Sequence, residues 1–336
     1  MTENHEIVLA VDAMGGDRGP EVAARAAARA VAEDEALSIL LVGQQDVLKA
    51  FSFVEHPRIR LVHADNVVAM DERPSHALRH KMDSSMAVAL RQVSEGQAQA
   101  CVSAGNTGAL MSLGRYLLKM YPGMERPAII KRIPSLHGRC FVLDLGANVD
   151  ASAENLYQFA IMGSLMAQVI DRKSRPRVAL LNVGSEEIKG SEQVRLAAHM
   201  MAECERLHYI GYVEGDDLFQ DVADVVVCDG FVGNIALKTG EGVAGMLMEV
   251  IEKAFTHNIF TRILGALARP YLRRVLKQID PARHNGASLL GLQGVVVKSH
   301  GNAGEQAFLA ALRQAAKEAK MELPARVGER LDEMPV

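Results

Sequence analysis

The sequence predicts an α/β fold built on a mainly parallel, doubly wound sheet with helices on each side. Three observations carry this. Short aliphatic or β-branched runs alternate with helical patterns along the chain, the rhythm of strand–helix–strand units. Those runs are apolar along their length rather than at every second position, as strands buried on both faces are. And 336 residues, 49% of them hydrophobic, supply a core for one large or two medium domains. We expect one unit spanning 1–336.

The first strand, Glu6–Asp12, reads EIVLAVD and stops before a glycine pair; the alanine-rich Pro20–Ala32 follows as a helix. Strands come next at Ser38–Gly43 and Ile59–His63. The helix Met82–Ser94 then leads to a short strand, Ala100–Ser103. Two aliphatic runs, Ala128–Ile133 and Cys140–Leu145, precede the apolar helix Glu154–Ile170. Arg177–Val183, the helix Glu192–Glu205, His208–Val213 and Asp224–Cys228 keep the alternation. Gly240 to Asp280 breaks it, reading as helix without a strand and interrupted by Pro270, a residue that kinks or splits a helix. The strand Gly294–Lys298 and the helix Ala303–Lys320 close the pattern.

Composition narrows the function. A net charge of −4 gives no global reason to expect nucleic acid. The four cysteines, Cys101, Cys140, Cys204 and Cys228, form no CxxC pair, so buried thiols in a reducing compartment are expected. No signal-like segment follows Met1 and no run of about 18 apolar residues occurs, so neither secretion nor a membrane span is expected. A surface-lying membrane contact stays open.

In such sheets ligands sit at the carboxyl ends of strands, where loops lead into helix N-termini. Six of these loops combine glycine with small polar residues: DAMGGDRG, AGNTGAL, GANVD, GSEEIKGSE, DGFVGN and SHGNAGE. Glycine lets backbone approach a ligand closely, and a helix start offers unpaired N–H groups to an anion. One such loop is also an ordinary turn or helix cap. Six at one rim point to an oxyanion, most simply phosphate. The candidate contacts are Gly15, Gly16, Asp17, Ser103, Gly105, Asn106, Thr107, Gly108, Asn148, Gly184, Asp229, Gly233 and Asn302.

Other chemistries lack their motifs. There is no GxGxxG after a strand, no P-loop and no GxSxG elbow, and the histidines have no metal-ligand spacing. Lys189 sits just before a helix start, where a cation is disfavoured unless solvent or a bound anion balances it. Asn234, His300 and Asn302 either cap and turn the chain or donate to an anion. Asp12 and Asp17 repel a free anion, so they either organise Arg18 and the loop amides or accept a proton.

The segment HNIFTRILGALARPYLRRVLKQI carries an apolar stripe at three- and four-residue steps. Arg262, Arg269, Arg273, Arg274 and Lys277 lie between, and no acid occurs from Lys253 to Ile279. A core or dimer hairpin, docking of an acidic protein, and contact with an anionic bilayer all fit this pattern.

Taken in order, AVDAMGGDRGPEV, SAGNTGALM, LDLGANVD, LNVGSEEIKG, VVCDGFVGN and KSHGNAGE resemble the motifs of the PlsX family of bacterial acyl-ACP:phosphate acyltransferases, from about Ile7 to Lys320. The resemblance implies a Rossmann-like three-layer α/β/α sandwich related to the isocitrate/isopropylmalate dehydrogenase-like fold. It implies a cytosolic homodimer that moves a fatty acyl group from acyl carrier protein to inorganic phosphate. The acyl phosphate would feed a membrane glycerol-3-phosphate acyltransferase at the start of phospholipid synthesis. It also implies a helical hairpin, taken as 246–280, for dimerisation and peripheral contact with the inner face of the cytoplasmic membrane.

On that reading phosphate is the nucleophile, and no metal, redox cofactor or ATP is demanded. The glycine loops and Lys189 would hold the dianion, amides near Asn234 or Asn106 would stabilise the oxyanion, and Asp12 or His300 would orient the phosphate. The basic residues of the hairpin would steer the acidic carrier protein, and the Ile/Leu/Phe stripe would offer the acyl groove. A dehydrogenase of the isopropylmalate type and a non-catalytic module binding phosphate and carrier protein are the competing expectations.

Overall fold

A computed structural model describes residues 6–136 and 138–332, with side chains other than those of 273–275, 277–279 and 332. Its strands are β1 (Ile7–Asp12), β2 (Leu37–Gly43), β3 (Ile59–His63), β4 (Ala100–Ser103), β5 (Ala128–Pro134) and β6 (Arg139–Leu143). They continue as β7 (Arg177–Leu181), β8 (His208–Val213), β9 (Val225–Val227), β10 (Ala287–Leu290) and β11 (Val295–Lys298). The helices are α1 (Pro20–Glu33), α2 (Gln45–Leu48), α3 (Pro74–His80), α4 (Ser85–Ser94), α5 (Thr107–Leu118) and α6 (Ala153–Ile170). After them come α7 (Glu192–Glu203), α8 (Gly230–Thr256), α9 (Ile259–Ile279), α10 (Glu305–Lys320) and α11 (Leu323–Asp332).

The described strands form one sheet in the order β3-β2-β1-β4-β11-β10-β5-β6-β9-β7-β8. Both faces are buried, as continuous apolar runs require. Leu9 and Val11 of β1 join a core shared with α1, α6, α7 and α10, while Ala10 joins a second core shared with α3, α4, α5 and the inner face of α8. Three layers result.

The expectation of a single parallel rim is corrected. The pairs β11–β10, β10–β5 and β5–β6 are antiparallel, and every other pair is parallel. Three reversals leave β6, β9, β7 and β8 running against β1 to β4 and β11. Strand β10 escaped the sequence reading because four residues, ASLL, between Gly286 and Gly291 carry little strand signal, and without it the count of reversals is lost.

Register nevertheless brings the two sets of strand ends to one level. Val11, Val102, Val297, Ser288, Ile130, Leu143, Val227 and Leu180 form one continuous row of partners. Strands β1, β4 and β11 end one residue past this row from one side, and β6 and β9 end on it from the other. Two carboxyl rims therefore face each other across the middle of the sheet.

The long helical region also differs from expectation. The break falls at His257–Asn258, where Asn258 and Thr261 form a reciprocal cap that starts α9, and Pro270 is accommodated inside that helix. Helix α8 begins at Gly230, so the pair is longer than the expected 246–280. Gly265 lies against Phe255, bringing the two helices close. Ile259, Phe260, Ile263, Leu264, Leu267 and Tyr271 of α9 are exposed. No helix of the described residues is long and apolar enough to cross a membrane.

Candidate active site

On the first rim Asp12, Ser103 and Lys298 stand side by side at the ends of β1, β4 and β11. Asp12 is buried and accepts hydrogen bonds from the hydroxyls of Ser85 and Ser103, both at 2.6 Å, and from the Met14 N–H. Burial pushes its carboxyl above the ordinary range, and those bonds offset only part of the rise. Its oxygens thus organise the loops. Ser103 Oγ also accepts from the Gly105 N–H, at 3.0 Å. Gly16, at φ 98°, fits against Ala104 and the Gly301 carbonyl, which takes the Asp17 N–H at 2.8 Å. Three loops are locked together in this way.

Lys298 is held over the same corner by the carbonyls of Ala104 and Ser299. Burial pulls its ammonium down to about 8; the nearby Lys238 charge adds to this, and Asp12 opposes it. A lysine with so low a value can carry charge or release a proton near neutrality.

The second rim repeats the device with Asp144, just past β6. Its buried carboxylate accepts from the N–H groups of Ile129, Gly146, Ala147 and Asn148 and from the Asn148 side chain. Burial raises its pKa too, against those bonds. Asn148 donates on to the Pro127 carbonyl and accepts the Gly230 N–H at 2.7 Å. Asp229 caps α8 through the N–H groups of Phe231 and Val232. A Cβ at Gly233 would fall 1.9 Å from the Asp144 carbonyl oxygen, so only glycine lets α8 start against this loop. Together these residues present Asn234 to the space between the rims.

That space is a cleft of about 340 Å³. Thr107 at the start of α5, Lys298, His300 and Gly301 line it from the first rim, and Gly146, Asn234 and Lys238 from the second. Lys131 of β5 completes the wall. Lys131 Nζ lies 2.7 Å from Glu241 Oε1, His300 Nε2 is 3.2 Å from the same oxygen, and Lys238 Nζ is 3.4 Å from His300 Nδ1. An ammonium only donates, so Nδ1 of His300 accepts and its Nε2–H donates to Glu241. Burial pushes the Glu241 carboxyl up, but His300 and Lys131 outweigh it and hold the group well below the ordinary range. Glu241 also pairs with Lys238 at 3.3 Å, so one carboxylate serves two ammonium groups while Lys298 adds a third to the cleft wall, and the cleft favours an anion.

Of the expected residues, Thr107, Asn234 and His300 line the cleft. Asp12, Gly15, Gly16, Ser103, Gly105, Asn148, Asp229 and Gly233 pack behind it. The Asn106 side chain is committed: it caps α5 through Ala109 and donates to the carbonyls of Ala69, Met70 and Glu72. Gly108 faces Pro74, and Asp17 and Asn302 are exposed.

Lys189 and Gly184 belong to the loop after β7, two strands along the second rim from β6. The Lys189 ammonium pairs at 2.8 Å with Glu186, its side chain is 45% exposed, and it does not line the cleft. Arg262 and Arg269 are exposed on α9. The side chains of Arg273, Arg274 and Lys277 lie outside the described residues.

Sequence reasoning did not single out Lys131, Lys238, Glu241, Lys298 or Asp144. A lysine inside the apolar run AIIKRI, and another closing VVVK, were the available signals, since a buried strand tolerates charge only with a partner. Among the described residues no group of three or more His, Cys, Asp or Glu is placed to hold a metal ion. Burial raises the thiols of Cys101 and Cys228 far above the range of a reactive cysteine.

A family model described as fatty acid synthesis protein matches residues 7–326. A phosphate acyltransferase from Marinobacter nauticus is 66% identical over 331 residues, covering 98% of this chain and 97% of that protein. Among solved structures, a phosphotransacetylase from Streptococcus pyogenes superposes with a TM-score of 0.63 at 16% identity, over 94% of each chain. A 4-hydroxythreonine-4-phosphate dehydrogenase from Klebsiella pneumoniae gives 0.53 at 14% identity, over 95% of this chain and 99% of that one. At such identities the likeness is one of fold, and two reaction classes share it.

Proposed function

The chain belongs to the fatty acid synthesis protein family, and from that premise we propose that it transfers an acyl group from a thioester to inorganic phosphate. The observation that carries this is the cleft between the facing rims, where Lys131, Lys238 and Lys298 gather beside Asn234 and the start of α5. Phosphate binds against Lys298 and Lys238, with the N-terminus of α5 at Thr107 adding its partial positive charge. A phosphate oxygen attacks the thioester carbonyl, and the side chain of Asn234 donates to the oxyanion that forms. Such a donor contributes roughly 3–4 kcal/mol to the barrier reduction. Collapse breaks the carbon–sulfur bond. Lys298 gives its proton to the departing thiolate and recovers one from the phosphate hydroxyl, so acyl phosphate and free thiol leave in balance.

The donor we propose is acyl carrier protein, an acidic partner that Arg262 and Arg269, exposed on α9, would attract. The exposed apolar face of α9 supports a second copy of the chain, or a membrane surface, as its cover. Acyl phosphate made there would serve a membrane glycerol-3-phosphate acyltransferase. Incubating acyl-carrier-protein thioester with phosphate and trapping the product with hydroxylamine tests the reaction. Phosphate-dependent hydroxamate is expected; thioester consumed without it, or NADH formed from NAD and a 2-hydroxy acid, would overturn the reading.

A further inference from the structure

A second cavity, of about 350 Å³, shares a wall with the cleft. It lies between the inner side of α8 and strands β5 and β6. Ile133, Val142, Leu218, Ala236 and Ala244 make its sides apolar. Lys131, Leu145 and Leu237 line both spaces, so the cavity begins where Lys131 meets Glu241. A pocket with apolar sides, entered beside a cluster of charges, suits a molecule with a reactive polar head and a hydrocarbon tail.

We propose that this cavity holds the acyl chain, and that Gly240 and Phe219 set how long a chain it accepts. The inference rests on the acyl transfer proposed above and adds the site and the length-limiting residues. Helix α8 runs from Asn234, beside the reacting carbonyl, past Gly240 to Ala244, spans of about 9 and 15 Å at helical rise. Gly240 stands at a tight point of the passage: a Cβ there would lie 3.3 Å from the Phe219 ring, closer than an ordinary van der Waals contact. A larger side chain at 240 would close the far part of the cavity, and removing the ring at 219 would widen it. On this assignment the acyl chain lies in this space rather than along the hairpin stripe expected from the sequence, and among the described residues none of α9 lines it.

The test compares acyl phosphate formation from octanoyl- and palmitoyl-carrier-protein thioesters in the wild type, Gly240→Leu and Phe219→Ala. The palmitoyl-to-octanoyl ratio of kcat/KM is the readout, because it does not depend on how much of a variant is folded. Losing contact with two or more methylenes should lower that ratio about tenfold or more in Gly240→Leu. In Phe219→Ala it should hold or rise. A ratio within twofold of wild type in Gly240→Leu overturns the assignment. Should that variant not fold, a fall in the ratio for Phe219→Ala overturns it instead. A wild-type protein that forms no acyl phosphate from either thioester sinks the proposed function, and this inference falls with it.

Discussion

Lys131 and Glu241, 110 residues apart in sequence, meet at 2.7 Å on the wall between the anion cleft and the apolar cavity. The lysine side chain is 4% exposed and the carboxylate 19%, so the buried lysine depends on Glu241, whose carboxylate His300 and Lys238 also hold. Removing one partner of such a pair costs about 3–5 kcal/mol because the other charge stays buried. Glu241→Ala should therefore lower stability to urea by about 3 kcal/mol, and Lys131→Met combined with Glu241→Leu should recover most of that. Equal losses in the single and double variants would show that the pairing is not what stabilises this wall.

Lys298 gives the cleft a pH dependence. Its ammonium titrates at about 8, charged below and neutral above. The phosphate KM should climb as pH rises through that value, by up to about tenfold per unit where Lys298 dominates. Lys298→Arg keeps a charge at all these pH values and should flatten the profile, even if turnover drops. A wild-type KM constant from pH 7 to about 9.5 would contradict the role.

Glu318 gives the fold a separate one. It is buried and accepts from Ser288 at 2.6 Å and Gln314 at 3.0 Å, while its other oxygen has no partner among the described residues. Burial pushes its carboxyl from 4.5 to about 7. The folded state thus keeps a proton that the unfolded chain loses earlier. Stability should fall as pH rises between those two values, by on the order of 3 kcal/mol in all. Denaturant midpoints of Glu318→Gln should lack this slope; an unchanged slope would assign it to other groups.

Much of this was legible in the sequence, for reasons that also mark where legibility stopped. Strands such as Ile7–Asp12 and Val295–Lys298 announce themselves because both faces are buried, and the loops after them because glycine is needed where chains cross closely. Direction is not local. Nothing in ASLL reveals that β10 inserts between β11 and β5; its two reversals cancel, and the β5–β6 reversal turns one rim into two facing ones. Side-chain roles were equally non-local: Asn106 reads as a ligand donor until three carbonyls of the segment before α3 claim its amide. Lys131 reads as a strand residue until Glu241 arrives from α8.

Direct attack by phosphate leaves no place for an acylated protein. Cys101, Cys140 and Cys228 are buried, and burial pushes Cys140 up to about 12. Labelled carrier protein should not exchange with acyl-carrier-protein thioester until phosphate is added. Exchange without phosphate would require a covalent intermediate and a different mechanism.

The phosphate dependence of three proteins tests the facing-rim cleft most directly: the wild type, Lys298→Met and Lys189→Ala. Losing a charged contact to the dianion should raise the phosphate KM of Lys298→Met about tenfold or more. Lys189 pairs with Glu186 at the surface, and its loss should change KM by less than about twofold. The reverse order, with Lys298→Met like the wild type and Lys189→Ala impaired, would place the anion at the loop after β7 and contradict the account.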